Sequence, residues 1–305
     1  MSPIQQMLLG AGGGINYAVG QVVFDGDNVS QSWTVPADVY SISVVCVGRG
    51  EPNPGQTSGD GGALAWASNI PVTPGATLTY TTRAAHDKTS PPSGDSILSG
   101  PASGSQAAWS VTGTSSVNGT QSSTYFTGNP GASRQGNRGG NGATALTNQG
   151  FFNVTYLAGG GGAAGYSGQG GDGNPSSWSN NAAGGGACSG YRGVANNPFG
   201  SYGGDRAGGG GGVGLLGQGT TGDWTDNQWI AQTNGWGGPG GSGGAKAVNG
   251  ATNVKTNGGL YGGGAGGGAN SLGSGADHEG AGGGIRIIYP GHERLYPSTR
   301  TADES

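Results

Sequence analysis

The residues that could do chemistry are few in this chain, and their spacing forms no catalytic set. Asp223 and Asp226 flank Trp224, and a glycoside hydrolase needs two such acids placed across a groove. His278-Glu279 and His292-Glu293 offer metal-ligating side chains but lack the spaced His or Cys partners of a zinc site. We therefore expect the two His-Glu pairs to be exposed polar residues in loops, and we expect no catalytic residue and no metal. Depolymerase activity, if present, would be sought at Asp223 and Asp226.

Phosphate-binding motifs and charge exclude further classes of function. Among 74 glycines in 305 residues, chance matches to G-x-G-x-x-G are expected, and no Gly-Lys-Ser or Gly-Lys-Thr of a P-loop occurs. The net charge is −4, and neither sign forms the run that a nucleic-acid or anionic-membrane surface needs. No apolar stretch approaches the length of a membrane span. We expect no enzyme, no cofactor, no nucleic acid and no membrane insertion.

A stronger signal is the composition of four interruptions in a glycine-rich region, at residues 174–182, 189–202, 220–236 and 246–257. They combine Trp, Tyr, Asn, Ser and Gly, which antibody loops use for large contact area and adaptable hydrogen bonds. The alternative is that some rings cap the glycine region, and Trp236 is interpreted in that way. The candidate receptor-contact residues are Trp178, Tyr191, Tyr202, Trp224 and Trp229.

The glycine segments that would position these loops have a period of three. It is visible at Gly159, Gly162, Gly165, Gly168 and Gly171, and again at Gly208, Gly211, Gly214 and Gly217. A polyproline-II-like helix turns once per three residues and has no internal hydrogen bonds, so such helices can bond only to each other. We predict a bundle of these helices over residues 158–283. A disordered glycine linker is the alternative, which nine aromatic residues in this region argue against.

The first half of the chain predicts many short strands, which is typical of a β-sandwich. The predicted strands cover residues 21–24, 31–35, 40–47, 63–67, 77–82, 106–111, 123–126 and 151–157. A further strand, 284–289, follows the glycines, and its Ile285 and Ile287 should face a core while Arg286 points out. Because a lone strand is unstable in water, we expect it to pair with residues 40–47.

The predicted fold class is therefore all-β, a β-sandwich with an inserted bundle of glycine-rich polyproline-II-like helices. The expected divisions are an N-terminal docking segment 1–19, a sandwich 20–157, the glycine bundle 158–283, a closing strand 284–290 and a tail 291–305. The docking segment has apolar residues at helical spacing, and a frayed terminus is its alternative. Cys46 is expected to fill the core and Cys188 to lie in a glycine run, without a disulfide.

Several motifs, taken in chain order, resemble a known family. They are Ser32–Ala37, Ser41–Gly48, Gly62–Trp66, Val72–Gly75, the glycine array and Gly284–Pro290, with ends at Ile4–Gly10 and Tyr296–Thr299. Together they resemble the glycine-rich domain of tail fibre and adhesin proteins of tailed bacteriophages. The chain departs from that pattern at residues 49–53 and 83–87. The resemblance implies a virion protein that contacts the host surface, in some members through loops between packed polyglycine helices.

The function expected from sequence is that of a non-enzymatic structural protein at the tail or particle surface of a virion. Its partners would be other virion proteins and a host cell-surface receptor, protein or glycan. The resemblance leaves a homotrimer open, because fibres are commonly trimeric. The first alternative is a capsid or tail decoration protein without a receptor role. The second is an ice-binding polyglycine-helix protein, which the bulky Trp and Tyr interruptions argue against.

Overall fold

Strands are the regular elements of the part of the chain that the structure describes. This computed structural model describes residues 18–26, 30–52, 58–85, 94–102, 106–115, 121–142, 159–173, 210–217, 258–266 and 279–297. Within these ranges no helix occurs, so the all-β prediction is confirmed. The strands are β1 Gly20–Asp25, β2 Ser30–Thr34, β3 Ser41–Val47, β4 Leu64–Pro71, β5 Thr77–Thr81, β6 Ser96–Gly100, β7 Trp109–Gly113, β8 Thr124–Thr127, β9 Ser133–Asn137 and β10 Gly284–Tyr289.

These strands form two antiparallel sheets over a shared core. The first sheet has the order β1-β10-β3-β4-β9 and the second the order β2-β5-β6-β7-β8. Alternate side chains of both sheets point inward, as period-two alternation requires. The shared core contains Val44, Cys46, Ile285 and Ile287 from the first sheet and Leu78, Leu98, Trp109 and Val111 from the second. Cys46 fills the core as expected, whereas Cys188 lies outside the described ranges.

The last strand returns to the first half of the chain, as predicted. In β10, Ile285 lies opposite Cys46 and Ile287 opposite Val44, so the expected pairing with residues 40–47 is confirmed. The other edge of β10 pairs with β1 in antiparallel register. β10 is therefore an inner strand whose removal would separate β1 from the sheet.

The inner strands β3 and β10 of the first sheet are covered on both faces, which the sequence prediction did not include. Every residue of β3 is buried, and so is Arg286, which was expected to point out. That expectation was wrong because the outer face of the sheet is covered by apolar side chains from the glycine-rich half. Val45, Leu64, Trp66 and Ile288 meet Ala163, Ala164, Tyr166, Val213 and Leu215 there. A strand buried on both faces carries a continuous apolar run, as β3 does from Val44 to Val47.

Two strands were not predicted, and one predicted strand is displaced. β6 and β9 are rich in Ser, Gly and other polar residues, so neither carries the β-branched pattern on which strand prediction depends. The strand predicted at 106–111 begins instead at Trp109. The strand predicted at 151–157 falls outside the described ranges.

Candidate functional site

The glycine-rich segments pack together as a layer on the outer face of the first sheet. We call this the glycine layer, and its described members are residues 48–52, 58–63, 139–142, 159–173, 210–217, 258–266 and 279–283. Backbone hydrogen bonds join these segments to one another. In sequence, the four aromatic interruptions fall between the layer members 159–173, 210–217 and 258–266.

The hydrogen-bond donors of one segment turn regularly around it. Successive N–H groups of residues 161–164 donate to three neighbouring stretches of backbone and return to the first after three residues. One of these stretches is the later part of the same segment, 159–173. The acceptors, in chain order, are the carbonyls of Gly59, Gly171, Gly211 and Gly62, at 2.9, 2.9, 2.8 and 2.9 Å. Gly59 and Gly62 belong to one segment and are three residues apart. The direction of the donors therefore repeats with the period of the glycine pattern.

Glycine is required in the layer because backbone contacts backbone. A Cβ atom added at Gly61 would lie closer than 3.0 Å to the carbonyl of Gly162, and one added at Gly161 would meet the carbonyl of Gly140 in the same way. Real Cβ atoms essentially never approach backbone so closely. The neighbouring segments would have to separate to admit any side chain at these positions.

The layer includes segments from the first half of the chain. Gly50 donates to the carbonyl of Ala281 at 2.9 Å, and the carbonyl of Glu51 accepts from Ala265 at 3.0 Å. Gly50 and Glu51 lie in the stretch 49–53, where the sequence departs from the phage glycine-rich pattern that it otherwise resembles. Gly61 likewise donates to Gly140 at 2.8 Å. The glycine layer and the sheets are thus interleaved along the sequence.

Four hydrogen-bonded glycines of the layer flank the stretches 174–209 and 218–257, which lie outside the described ranges. The N–H groups of Gly173, Gly210, Gly217 and Gly258 donate to Asn141 O at 2.8 Å, Gly264 O at 2.8 Å, Tyr166 Oη at 3.2 Å and Glu279 O at 3.1 Å, respectively. We call these four glycines the loop bases. Each base donates its N–H to another part of the described chain, next to one of these two stretches.

Three of the four loop bases lie close to one another or to neighbouring residues of the layer. Gly173 packs against Gly159, and Gly210 packs against Gly160. Gly259, which follows the base at Gly258, donates to the carbonyl of Gly210 at 2.8 Å. Gly217 lies instead beside Tyr166, whose hydroxyl accepts its N–H.

The predicted receptor-contact residues themselves fall outside the described ranges. Trp178, Tyr191 and Tyr202 belong to the stretch 174–209, and Trp224 and Trp229 belong to the stretch 218–257. Their selection as contacts stays a prediction. What the structure adds is the hydrogen bonding of the four glycines that flank these two stretches in sequence.

Segment 210–217 is held on the sheet by side chains that the sequence analysis did not single out. Tyr166 donates to the carbonyl of Gly214 at 3.0 Å, and its ring stacks on Tyr296 with centroids 5.7 Å apart. Tyr296 and Arg286 both donate to the carbonyl of Leu215, each at 3.2 Å. Burial raises the pKa of Tyr296. For Tyr166 and Arg286 the signal that could have found them is an aromatic or cationic residue inside a glycine or apolar run, whereas Tyr296 lies in a polar stretch and carries no such signal.

Tyr261 provides a pH-dependent tie between the layer and β1. Its hydroxyl donates to Asp25 Oδ2 at 2.9 Å, and burial together with this bond raises its pKa to about 12. A tyrosine in an unfolded chain ionises near pH ~10. The unfolded state therefore loses the proton first, and the contribution of Tyr261 to stability falls as the pH rises from about 10 towards about 12.

We expect the stability advantage of the natural chain over Tyr261→Phe to shrink between pH 9 and pH 11.5, following the sign just derived for Tyr261. Urea unfolding of both proteins at a series of pH values measures it. Two free-energy curves that stay parallel over this range would contradict the assignment.

A polar cluster lies where β3, β6 and the layer meet. Arg49 is almost fully buried, and burial, with the charge of Arg83, lowers its pKa. Burial raises the pKa of Asp95, which accepts a bond from the backbone of Ser115. The charges of Arg83 and Arg49 act on Asp95 in the opposite direction and lower its pKa.

In the described ranges no three ligating groups converge to hold a metal, and no helix is long and apolar enough to cross a membrane.

Searches of the chain against protein-family models and against curated proteins found no match.

Proposed function

We propose that this chain is a non-enzymatic structural protein of a phage virion, of the tail fibre or adhesin type. In this proposal a β-sandwich carries a bundle of glycine-rich polyproline-II-like helices over residues 158–283. The bundle holds aromatic and Asn-rich loops against a host cell-surface receptor, protein or glycan. The observation that carries the proposal is the set of four hydrogen-bonded loop bases in the glycine layer.

The helical form of the glycine segments is supported by the directions of their N–H donors. A helix with three residues per turn directs each N–H about 120° from the last, so successive bonds go to different neighbours. Residues 161–164 follow this order, returning from Gly59 to Gly62 after three residues. The absence of room for a Cβ at Gly61 and Gly161 agrees with rods in backbone contact.

Presentation is the mechanism that this arrangement supports. Binding normally costs the free energy of ordering flexible segments, and fixing them beforehand removes part of that cost. Loop bases held by backbone bonds restrict where the stretches 174–209 and 218–257 can begin. Trp and Tyr then supply contact area with few torsions to immobilise.

The resemblance to tail fibre and adhesin proteins is what supports a location on a virion. Segment 1–19 would dock onto other virion proteins at the tail or particle surface, and the glycine half would face the host. A homotrimer remains an open alternative. Electron microscopy of particles with antibody bound to this chain distinguishes the candidates. Labelling at the tail tip supports the adhesin, and many copies over the head would support the decoration protein instead.

Deletion of residues 220–236 from the virion protein is expected to leave folding intact and to reduce adsorption to host cells by at least about tenfold. The deleted stretch contains Trp224 and Trp229 and none of the described layer. Adsorption assays measure the loss, and circular dichroism of the purified chain checks the fold. Unchanged adsorption would count against the receptor role.

Point variants sharpen this test. Trp224→Ala and Trp229→Ala should each weaken adsorption, because truncating an aromatic anchor removes most of its contact area. Tyr125→Ala is the matched control, since Tyr125 is a 58% exposed aromatic residue on β8 of the second sheet. An equal loss for all three variants would show that surface aromatics act without specificity.

A further inference from the structure

A polar groove lies between the two sheets and the glycine layer. It has a volume of about 410 Å³ and is lined by residues 121–124, residues 136–138 and Gln169. The start of β8 in the second sheet, the end of β9 in the first sheet and one glycine segment converge there. We call it the Arg138 groove.

The floor of the Arg138 groove is fixed to the glycine layer. Ser122 is buried, donates to the carbonyl of Gly61 at 2.9 Å and accepts from the N–H of Gly139 at 2.9 Å. Asn137 donates to the carbonyl of Gly165 at 2.8 Å. These bonds hold the groove open in one shape, so a ligand would not have to organise it.

Its rim places one cation between two amides. Arg138 donates through Nε to Gln169 Oε1 at 3.0 Å and through Nη1 to Gln121 Oε1 at 2.5 Å. Gln121 in turn donates to Asn141 Oδ1 at 2.5 Å. Both acceptors of the guanidinium are neutral, so they orient its plane without neutralising its charge. The two bonds engage two of the five N–H donors that a guanidinium carries.

We propose that the Arg138 groove binds an acidic saccharide. A guanidinium held by neutral amides can receive a carboxylate through charge-assisted bonds. The side chains of Ser123, Thr124 and Gln169 offer both donors and acceptors, which match the hydroxyls of a sugar ring. An open, polar wall suits a hydrated chain of sugars better than an apolar ligand. This inference deepens the proposed attachment to a host surface and rests on it.

The test titrates the purified full-length chain with trigalacturonate by calorimetry, with maltotriose as the neutral trisaccharide. Trigalacturonate should bind, and Arg138→Gln should weaken that binding by at least about tenfold, the effect of losing a charged hydrogen-bond donor. Maltotriose should bind more weakly than trigalacturonate. No binding of trigalacturonate, or equal binding of both sugars, would overturn the proposal.

Arg134→Gln is the matched control for charge. Arg134 lies on β9, four residues before Arg138, is exposed, and donates to Asn129 rather than into the groove. Arg134→Gln should leave binding of trigalacturonate unchanged. An equal loss of binding in Arg134→Gln and Arg138→Gln would show that only net charge matters and would overturn the proposed binding site. Gln169→Ala should weaken binding as well, because it removes both a wall and the bond that orients Arg138.

Failure of the groove and failure of the proposed function give different results. If trigalacturonate does not bind while deletion of residues 220–236 still abolishes adsorption, the groove is wrong and the adhesin role stands. If the sugar binds through Arg138 but the deletion leaves adsorption unchanged, the groove stands and the proposed loop-borne receptor role fails.

Discussion

Gly161→Ala is expected to destabilise the chain by about 3–4 kcal/mol, a large part of the stability of an ordinary domain. The added methyl would meet the carbonyl of Gly140, and backbone cannot rotate away as a side chain can. Separating the two segments would also stretch the bonds that Gly140 makes with Gly61 and Gly162, each 2.8 Å long. The free energy of unfolding in urea measures the effect.

The control for this substitution is Gly75→Ala. Gly75 has a φ of +77° in the turn before β5, and a Cβ there would meet nothing within 4 Å. Its cost should be about 1–2 kcal/mol, that of placing an L-residue in the left-handed region. If Gly161→Ala costs no more than Gly75→Ala, the close packing of glycine segments is wrong.

Arg286→Ala should cost about 3–5 kcal/mol, because it removes a fully buried side chain from beneath the glycine layer. The guanidinium joins Gln21 of β1 to the carbonyl of Leu215. Its loss would leave a cavity and weaken the hold of segment 210–217. Thermal and urea unfolding measure the loss, and Arg134→Ala, an exposed arginine on β9, should change stability by about 0.5 kcal/mol or less.

Arg286→Met separates packing from hydrogen bonding. Methionine restores much of the volume, and Tyr296 still donates to the carbonyl of Leu215. The cost should therefore fall to about 1–2 kcal/mol. Equal losses for the Ala and Met variants would show that the hydrogen bonds, and not the filled volume, hold the segment.

Local pattern was sufficient for the strands with alternating apolar residues. β3 and β10 have such patterns, and the pairing of β10 with residues 40–47 followed from the instability of a lone strand. β6 and β9 escaped prediction because their stability comes from neighbours in the sheet rather than from their own composition. Propensity cannot show partners that are distant in sequence.

The covered outer face of the first sheet was the main feature that alternation could not predict. Arg286 occupies a position that a half-exposed strand would give to solvent, so its type suggested exposure. The cover comes from Tyr166, Val213 and Leu215, which are far away along the chain. One sign was present: the unbroken apolar run Val44 to Val47 is typical of burial on both faces.

The sequence predicted that glycine segments bond to each other, but not which segments of the chain take part. The three-residue glycine period indicated segments that bond to each other, and the donors of residues 161–164 repeat with that period. The sequence did not indicate that Gly50 and Gly140 join the layer, because a single close approach leaves no periodic trace. The Arg138 groove was equally hidden, since its walls come from three separate segments.

Amide hydrogen exchange of the glycine layer tests the central claim most directly. If the segments are rods joined by their backbones, the amides of Gly140, Gly161, Gly162, Ala164 and Gly264 should exchange as slowly as those of β3, with opening free energies near the global value. Exchange of these amides within seconds, while the amides of β3 stay protected, would contradict the claim that backbone bonds join the segments. The proposed rigid presentation of loops would then be wrong as well.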